Sequence, residues 1–173
     1  MEKIEGEIVN KVAASTLVTF DLEEFFVPGE RVLLDIKDQL FQGLMLREKD
    51  FREFIKGHSW SSYRGKFVAV TCSTDAIVPT WAYMLLAIAL QPFAAKVVFG
   101  DVGDLENALY RERLRDTNWE QFKDAKVVIK GCSKVNVPVA IYVDVAALIK
   151  PYATSIMFGE PCSTVPLYKK AKG

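Results

Sequence analysis

Three cysteines are the side chains of this chain that are best suited to chemistry. Cys72, Cys132 and Cys162 each come shortly after an apolar run that is typical of a buried strand. Thiolates bind soft metals and attack electrophiles. Because parallel strands place their carboxyl ends at one edge of a sheet, we expect the three thiols to lie along one edge.

A metal centre is the first hypothesis for these thiols. The predicted ligands are Cys72, Cys132 and Cys162, and the acidic residues Asp75 and Glu160 are candidates for a fourth ligand or for a hydrogen-bonding neighbour. Such a site would hold zinc or an iron–sulfur cluster. Asp101 and His58 are further candidate ligands; a surface role suits this single histidine equally well. The sequence contains no Cys-x-x-Cys spacing, which is the strongest sequence signal for a metal site.

A thiol enzyme is the second hypothesis, and it stays open beside the first. Cys72 lies between a predicted strand and a predicted helix, where the helix dipole favours a thiolate. Cys72 would be the nucleophile toward persulfide or acyl groups, with Ser73 and Asp75 near the reacting atoms. The third hypothesis is a non-catalytic interaction module whose cysteines pack as small apolar residues.

Two of the cysteines belong to a stretch of sequence that occurs twice. Lys66–Ser73 aligns with Lys126–Ser133, and after a one-residue gap the match continues from Val78-Pro79 and Val137-Pro138 onward. The alignment places Cys72 on Cys132. Each copy predicts a strand, a turn, a helix and a second strand, with copy one at residues 65–101 and copy two at residues 125–160.

These copies supply most of the predicted elements. Pro79 and Pro138 suit the first turn of a helix, and Pro92 and Pro151 end the same helices. Asp75 or Asn136 would cap the two starts. The predicted strands are residues 67–71, 96–99, 127–130 and 155–158, and residues 104–116 form a crossover helix between the copies.

Alternating strands and helices predict an α/β fold. We expect a single domain over residues 1–173, built on one doubly wound, mostly parallel sheet with helices on both faces and an internal strand-helix-strand repeat. If the first strands of the two copies are neighbours, Cys72 and Cys132 meet at the topological switch point. Residues 1–64 add strands near 15–22 and 31–36 and a helix near 47–56, and residues 161–173 form a tail.

Composition excludes some classes of function. The chain has 173 residues, 22 basic and 22 acidic side chains and 50% apolar residues, so neither disorder nor a nucleic-acid partner is expected. No apolar run is long enough to span a membrane. An odd number of cysteines without a secretory signal indicates the reducing cytoplasm. The charge-free apolar helices favour a homodimer.

Three segments resemble a bacterial family, the domain of unknown function numbered 2480: Asp35–Gly43, Thr71–Tyr83 and Ser155–Tyr168. The resemblance covers nearly the whole chain, which includes all three cysteines, and Cys72 and Cys162 lie in two of the three segments. It implies a role near iron–sulfur cluster assembly, because genes of this family are associated with operons for that machinery. The implied partners are therefore iron–sulfur assembly proteins, and the implied role is that of an accessory protein.

Overall fold

The computed structural model describes residues 17–130, 134–160 and 163–171. The chain forms two compact units. The terminal unit takes its residues from the two ends of the chain, up to Phe26 and from Arg115 onward, and the central unit is Val27–Leu114.

The central unit is built on a three-stranded parallel sheet. Its strands are β2 (Arg31–Asp35), β3 (Phe67–Thr71) and β4 (Lys96–Phe99), in the order β2-β3-β4. Its helices are α1 (Glu48–Gly57), α2 (Thr80–Leu90) and α3 (Val102–Leu114), and short 3-10 helices occur at Lys37–Gln39 and Trp60–Tyr63.

Helices cover both faces of the central sheet. Val68 belongs to an apolar cluster with Leu86 of α2, whereas Ala69 belongs to a second cluster with Leu105 of α3. Because successive side chains of a strand point to opposite faces, the two clusters lie on opposite sides of β3. The fully buried Phe51 of α1 joins the α2 side. The middle strand is therefore apolar from Phe67 to Val70, as is typical of a covered parallel strand.

The terminal unit contains a four-stranded sheet in the order β1-β5-β6-β7. Its elements are β1 (Leu17–Asp21), β5 (Lys126–Lys130), α4 (Val139–Ile149), β6 (Ser155–Glu160) and β7 (Ser163–Lys169), with 3-10 helices at Leu22–Phe25 and Trp119–Phe122. The first three strands are parallel, and β7 runs antiparallel to β6.

The α/β class is confirmed, but the prediction of one sheet with the copies side by side is wrong. Strand β3 already has β2 and β4 as partners, and β5 already has β1 and β6, so neither has a free edge for the other. Cys72 and Cys132 therefore do not follow neighbouring strands. The predicted crossover helix forms as α3, but it packs against β3 and β4 of its own sheet.

Proline fixes both ends of α2 and α4. Pro79 and Pro138 are the N-cap residues, with φ of −63° and −60°, and neither cap has a side-chain hydrogen bond. The predicted capping by Asp75 and Asn136 is therefore wrong. Both helices stop before the next proline, as predicted. In the described part of the chain, none of the helices has the length and apolar character needed to cross a membrane.

Residues expected to form a tail instead add a strand. In β7, Pro166 lies opposite Met157, and a register shift accommodates it between Ile156 and Met157 of β6. Proline has no N–H to donate, so it is tolerated at the edge of a sheet beside such an irregularity. The sequence pattern missed β7 because Pro166 interrupts it.

Candidate functional site

Asp35 is the best-connected polar residue at the carboxyl edge of the central sheet. It ends β2 directly across from Thr71 at the end of β3. Its Oδ1 accepts hydrogen bonds from the backbone N–H groups of Lys37, at 3.0 Å, and Ser73, at 3.1 Å. The Ser73 hydroxyl donates to Oδ2 at 2.5 Å. Asp35 therefore fastens the loop after β3 to the loop after β2.

These contacts keep the Asp35 side chain ionised. Partial burial raises the pKa of the carboxyl group, but the hydrogen bonds from Ser73 and Lys37, together with the Lys37 charge, outweigh burial. The pKa of Asp35 is therefore below its usual value. Since the carboxylate is already engaged by three donors, its role at this edge is to hold the loop and not to accept a proton.

Cys72 is the first residue after β3 and is half-buried. Its thiol donates a long hydrogen bond to the carbonyl oxygen of Thr74, with 3.6 Å between sulfur and oxygen. The side chain also packs beside the apolar cluster under α2. Helix α2 begins only at Thr80, eight residues after Cys72 (80 − 72). The hydrogen bond of the thiol is to Thr74, within the loop that precedes the helix.

Tyr83 brings a phenol to the same edge. Its ring meets the ring of Phe99, at the end of β4, edge to face with 4.8 Å between centroids. Burial raises the pKa of the Tyr83 hydroxyl, and negative charge on Cys72 and Asp35 raises this pKa further. Cys72 and Tyr83 also pack against the same apolar cluster under α2. We call Asp35, Cys72, Ser73 and Tyr83 the thiol cluster.

The thiol cluster combines groups with separate chemical capabilities. Cys72 supplies a nucleophilic sulfur, and Tyr83, with its raised pKa, stays protonated at neutral pH and can donate a hydrogen bond. Asp35 and Ser73 set the conformation of the loop that carries the sulfur. This arrangement suits attack by sulfur on a bound electrophile.

The structure assembles only part of the predicted catalytic group. Cys72 and Ser73 follow β3, as predicted, but the carboxylate that contacts Ser73 is Asp35. Asp75 is exposed in the following loop. Sequence reasoning missed Asp35, although a signal was present: an aspartate flanked by large apolar residues ends a strand at both Asp21 and Asp35.

Cys132 and Cys162 lie outside the described residues. In sequence they come two residues after β5 and two residues after β6, which are paired parallel strands. Glu160 ends β6 and is exposed. Within residues 17–130, 134–160 and 163–171, no three His, Cys, Asp or Glu side chains are grouped closely enough to hold a metal ion. The three-cysteine metal site stays a prediction.

The two remaining candidate ligands have structural contacts. Asp101 and Asp104 exchange hydrogen bonds at the start of α3, each carboxylate accepting from the other residue's backbone N–H, at 2.9 and 3.0 Å. His58 is the C-cap residue of α1, and its Nε2 lies 3.0 Å from the Tyr63 hydroxyl; its ring packs against Trp60 with 4.5 Å between ring centroids. These contacts suit helix capping and packing.

The predicted alignment of the two copies needs a correction. Helices α2 and α4 begin at Thr80 and Val139, and strands β4 and β6 begin at Lys96 and Ser155, so both pairs are 59 positions apart (139 − 80 and 155 − 96). The starts of β3 and β5 have the same offset (126 − 67), which leaves no room for the predicted one-residue gap. At a constant offset, Cys72 corresponds to Gly131, and Cys132 corresponds to Ser73.

The corresponding edge of the terminal sheet is occupied by an ion pair. Asp21 ends β1 across from Lys130 at the end of β5, and the Lys130 ammonium donates to Asp21 at 2.8 Å. This hydrogen bond raises the pKa of Lys130, and the charge of Glu160 adds to the shift. Tyr142 and Phe158 repeat the edge-to-face contact, with 5.6 Å between ring centroids.

A family model matches residues 6–170 of the chain. The chain belongs to the family described as protein of unknown function (DUF2480). This family match covers both units and all three cysteines. Neither a search of curated proteins nor a search of solved structures gave a significant match.

Proposed function

We propose that the protein is a thiol-dependent group-transfer protein that acts at the thiol cluster, with Cys72 as nucleophile and a persulfide as substrate. The observation that carries this proposal is the position of Cys72, half-buried directly after the middle strand, packed with Tyr83 against the same apolar cluster and next to Ser73, which Asp35 holds by two hydrogen bonds. The link to iron–sulfur cluster assembly that the family resemblance implies favours sulfur over acyl groups.

The proposed step needs no oxidant and no reductant from outside. The Cys72 thiolate attacks the outer sulfur of a donor persulfide, and a new sulfur–sulfur bond forms while the donor's own sulfur–sulfur bond breaks. The donor leaves as a thiolate and takes up the proton that Cys72 lost. Cys72 ends as a persulfide, and the donor ends as an ordinary thiol.

Tyr83 and Asp35 have different roles in this step. The Tyr83 hydroxyl keeps its proton because its pKa is raised, so it hydrogen-bonds the departing thiolate. Asp35 acts through Ser73, because its hydrogen bonds to the Ser73 N–H and hydroxyl fix the residue next to Cys72. Asp35 is therefore a positioning residue.

Mass spectrometry of the intact protein tests the proposal. Full-length protein is incubated without oxygen with glutathione persulfide, and the added sulfur is located by peptide mapping. The Cys132→Ser/Cys162→Ser variant should gain one sulfur at Cys72, and Cys72→Ser should gain none at that position. Tyr83→Phe should slow the gain by about tenfold, because a hydrogen-bond donor to the leaving group is lost.

The matched control removes the corresponding phenol hydroxyl, that of Tyr142, from the other copy. Tyr142→Phe should leave the rate at Cys72 unchanged, because the Tyr142 ring packs against Phe158 within its own unit. Circular dichroism establishes that each variant is folded. Equal loading of all three cysteines in the wild-type protein, or no loading of Cys72, would contradict the proposal.

A second candidate function is an accessory role with a zinc or iron–sulfur site formed by Cys72, Cys132 and Cys162 with Asp75 or Glu160. One observation favours it: the sequence places Cys132 and Cys162 just after two paired parallel strands, beside Glu160. Thiolates are the ligands that both groups prefer. When bound, zinc would act as a Lewis acid or a structural link, and a cluster would be carried or transferred.

Elemental analysis separates the two candidates. Protein purified anaerobically, without chelator or an affinity metal, is compared with the Cys72→Ser/Cys132→Ser/Cys162→Ser variant. The metal site predicts near-stoichiometric zinc or iron in the wild-type protein and loss in the variant. Wild-type protein without metal that still accepts sulfur at Cys72 would support persulfide transfer alone.

A further inference from the structure

The carboxyl edge of the central sheet exposes large apolar side chains where each of its three strands leads into a helix. Single exposed apolar residues are normal on a protein surface, but a group of them around one edge indicates a binding surface. The members are Phe41, Leu44 and Met45 after β2, Ile77 after β3, and Phe99 and Val102 where β4 leads into α3. We call these six residues the apolar rim.

Backbone hydrogen bonds hold one side of the apolar rim in place. The Ile77 N–H donates to the Leu44 carbonyl at 2.9 Å, and the Leu46 N–H donates to the Ile77 carbonyl at 3.1 Å. Met45 lies opposite Ile77 in a parallel bridge. The side chains of Ile77 and Leu44 are nevertheless exposed, at 73% and 61%. This side of the rim therefore joins the loop after β2 to the loop after β3, which carries Cys72.

Phe99 forms the other side of the apolar rim. It ends β4, is 65% exposed, and its ring packs against the Tyr83 ring of the thiol cluster. Because the strand order is β2-β3-β4, Cys72 follows the strand between the two sides of the rim. Neighbouring strands are only about 4.8 Å apart. A donor segment that reaches Cys72 from above this edge would therefore contact the rim on both sides.

The charge of this edge is negative where it is not neutralised. Both basic side chains of the three loops, Lys37 and Arg47, form ion pairs with carboxylates. By contrast, Asp38 and Asp75 are exposed, and no cation among the described residues pairs with either. An apolar rim with uncompensated negative charge is complementary to a segment that is apolar and basic. It is poorly suited to an anionic membrane surface.

We propose that the persulfide donor is a cysteine in an apolar, basic segment of another protein, and that the apolar rim binds this segment. This inference rests on the proposed function and names the class of its substrate. The outer sulfur of the donor forms a bond to Cys72 while its bond to the donor cysteine breaks, and the donor leaves as a thiolate that takes up the proton of Cys72. Leu44, Ile77 and Phe99 are then residues that determine specificity, because they favour a protein-borne persulfide over a small one.

The rates at which different donors load Cys72 test this inference. The protein is the Cys132→Ser/Cys162→Ser variant, and the added sulfur is followed by mass spectrometry. One short peptide persulfide has leucine and arginine on both sides of its cysteine, a second has serine and glutamate in their place, and glutathione persulfide is the third donor. The first peptide should load Cys72 about tenfold faster than the other two, as expected for partial burial of apolar side chains at an exposed surface.

Substitutions in the rim should remove this preference. Leu44→Ser/Ile77→Ser should reduce the ratio of the rates for the first peptide and glutathione persulfide by about tenfold, because the apolar contact is lost. Asp38→Lys/Asp75→Lys should reduce the same ratio by about threefold or more, with a larger effect at low salt.

The matched control is Ile88→Ser/Val143→Ser, which changes two apolar side chains of similar exposure, 68% and 63%, outside the rim. It should leave the ratio at its original value. Loading of Cys72 at one rate by all three donors would overturn this inference and leave persulfide transfer in place, whereas no loading by any donor would overturn both.

The other possible occupants of the rim give different results in the same variants. A dimer that Leu44→Ser/Ile77→Ser converts to a monomer in light scattering, with the donor ratio unchanged, would assign the rim to a second copy of the chain and overturn the inference. Binding to phosphatidylcholine vesicles that is lost in Leu44→Ser/Ile77→Ser, again with the donor ratio unchanged, would assign the rim to a membrane and would also overturn it.

Discussion

Removing the Asp35 carboxylate should loosen the edge that holds Cys72. In Asp35→Ala, the N–H groups of Lys37 and Ser73 and the Ser73 hydroxyl all lose their acceptor. The wild-type side chain is 18% exposed, so these hydrogen bonds are partly shielded from water. The two loops after β2 and β3 would then be joined mainly by the Ile36 N–H, which donates to the Thr71 carbonyl at 2.9 Å.

The expected loss of unfolding free energy is about 2 kcal/mol. A buried hydrogen bond to a charged group contributes roughly 1.5–3 kcal/mol, but here the donors belong to exposed residues that regain water, so the three contributions do not add fully. The Lys37 ammonium, 3.7 Å from the carboxylate and half-exposed, adds little.

This loss has a defined pH dependence. The pKa of Asp35 is lower in the folded protein than its ordinary value of 3.8, so the carboxylate stabilises the fold above that value. The stabilisation is lost as the pH falls through the lower folded-state pKa. The free-energy difference between wild type and Asp35→Ala should therefore be constant from pH 7 to about pH 5 and should narrow below 3.8.

Guanidinium unfolding followed by tryptophan fluorescence measures this difference, and Trp60 and Trp81 report on the central unit. The matched control is Asp38→Ala, which removes an exposed carboxylate three residues away and should change stability by less than about 0.5 kcal/mol. Equal stability of the two variants would refute the reasoning. So would a gap between wild type and Asp35→Ala that widens as the pH is lowered.

Two other features of the structure lead to testable predictions: the backbone conformation of Gly100 and the hydrogen bond from Lys130 to Asp21. Gly100 has φ of +126°, and a Cβ there would lie 2.7 Å from Cγ of Asp104, so Gly100→Ala should lower the free energy of unfolding by about 2 kcal/mol or more. Gly57→Ala is the control, because no atom lies within 4 Å of its Cβ position, and it should stabilise by about 0.5 kcal/mol; a similar loss at both sites would contradict this. Asp21→Asn should lower the pKa of Lys130 in an NMR titration, since the hydrogen bond from Lys130 to Asp21 raises it; an unchanged pKa would show that the pair does not form in solution.

Local sequence patterns were sufficient to predict most of the helices and strands. Two local patterns predicted these elements: the mostly apolar run at residues 67–71 and the pairs of prolines around α2 and α4. Each pattern determines the conformation of only a few neighbouring residues, so it can be recognised without knowledge of the fold. The order of the strands is harder to predict, because it depends on which strands pair with each other across long separations in sequence. Nothing in β3 or β5 alone indicates that each pairs with an N-terminal strand of its own unit.

The candidate site was predictable only in part for the same reason. Cys72 stands out by residue type and by its position after an apolar strand. Asp35 does not stand out, because its partner Ser73 is 38 residues away and the contact exists only after β2 pairs with β3. The shared Cys-Ser dipeptide also favoured an alignment that placed Cys72 on Cys132, whereas the hydrogen-bonded strands give a constant offset that places Ser73 there.

The most direct test of the central claim is the alkylation rate of Cys72 in the native Cys132→Ser/Cys162→Ser variant, compared with the same protein in guanidinium. A thiol that works at the carboxyl edge of the central sheet should react in the native state within about tenfold of the unfolded rate. Asp35→Ala in this background should alter the native rate and leave the unfolded rate unchanged. A Cys72 that reacts only when the protein unfolds would contradict the account and would make this cysteine a packing residue beside the α2 cluster.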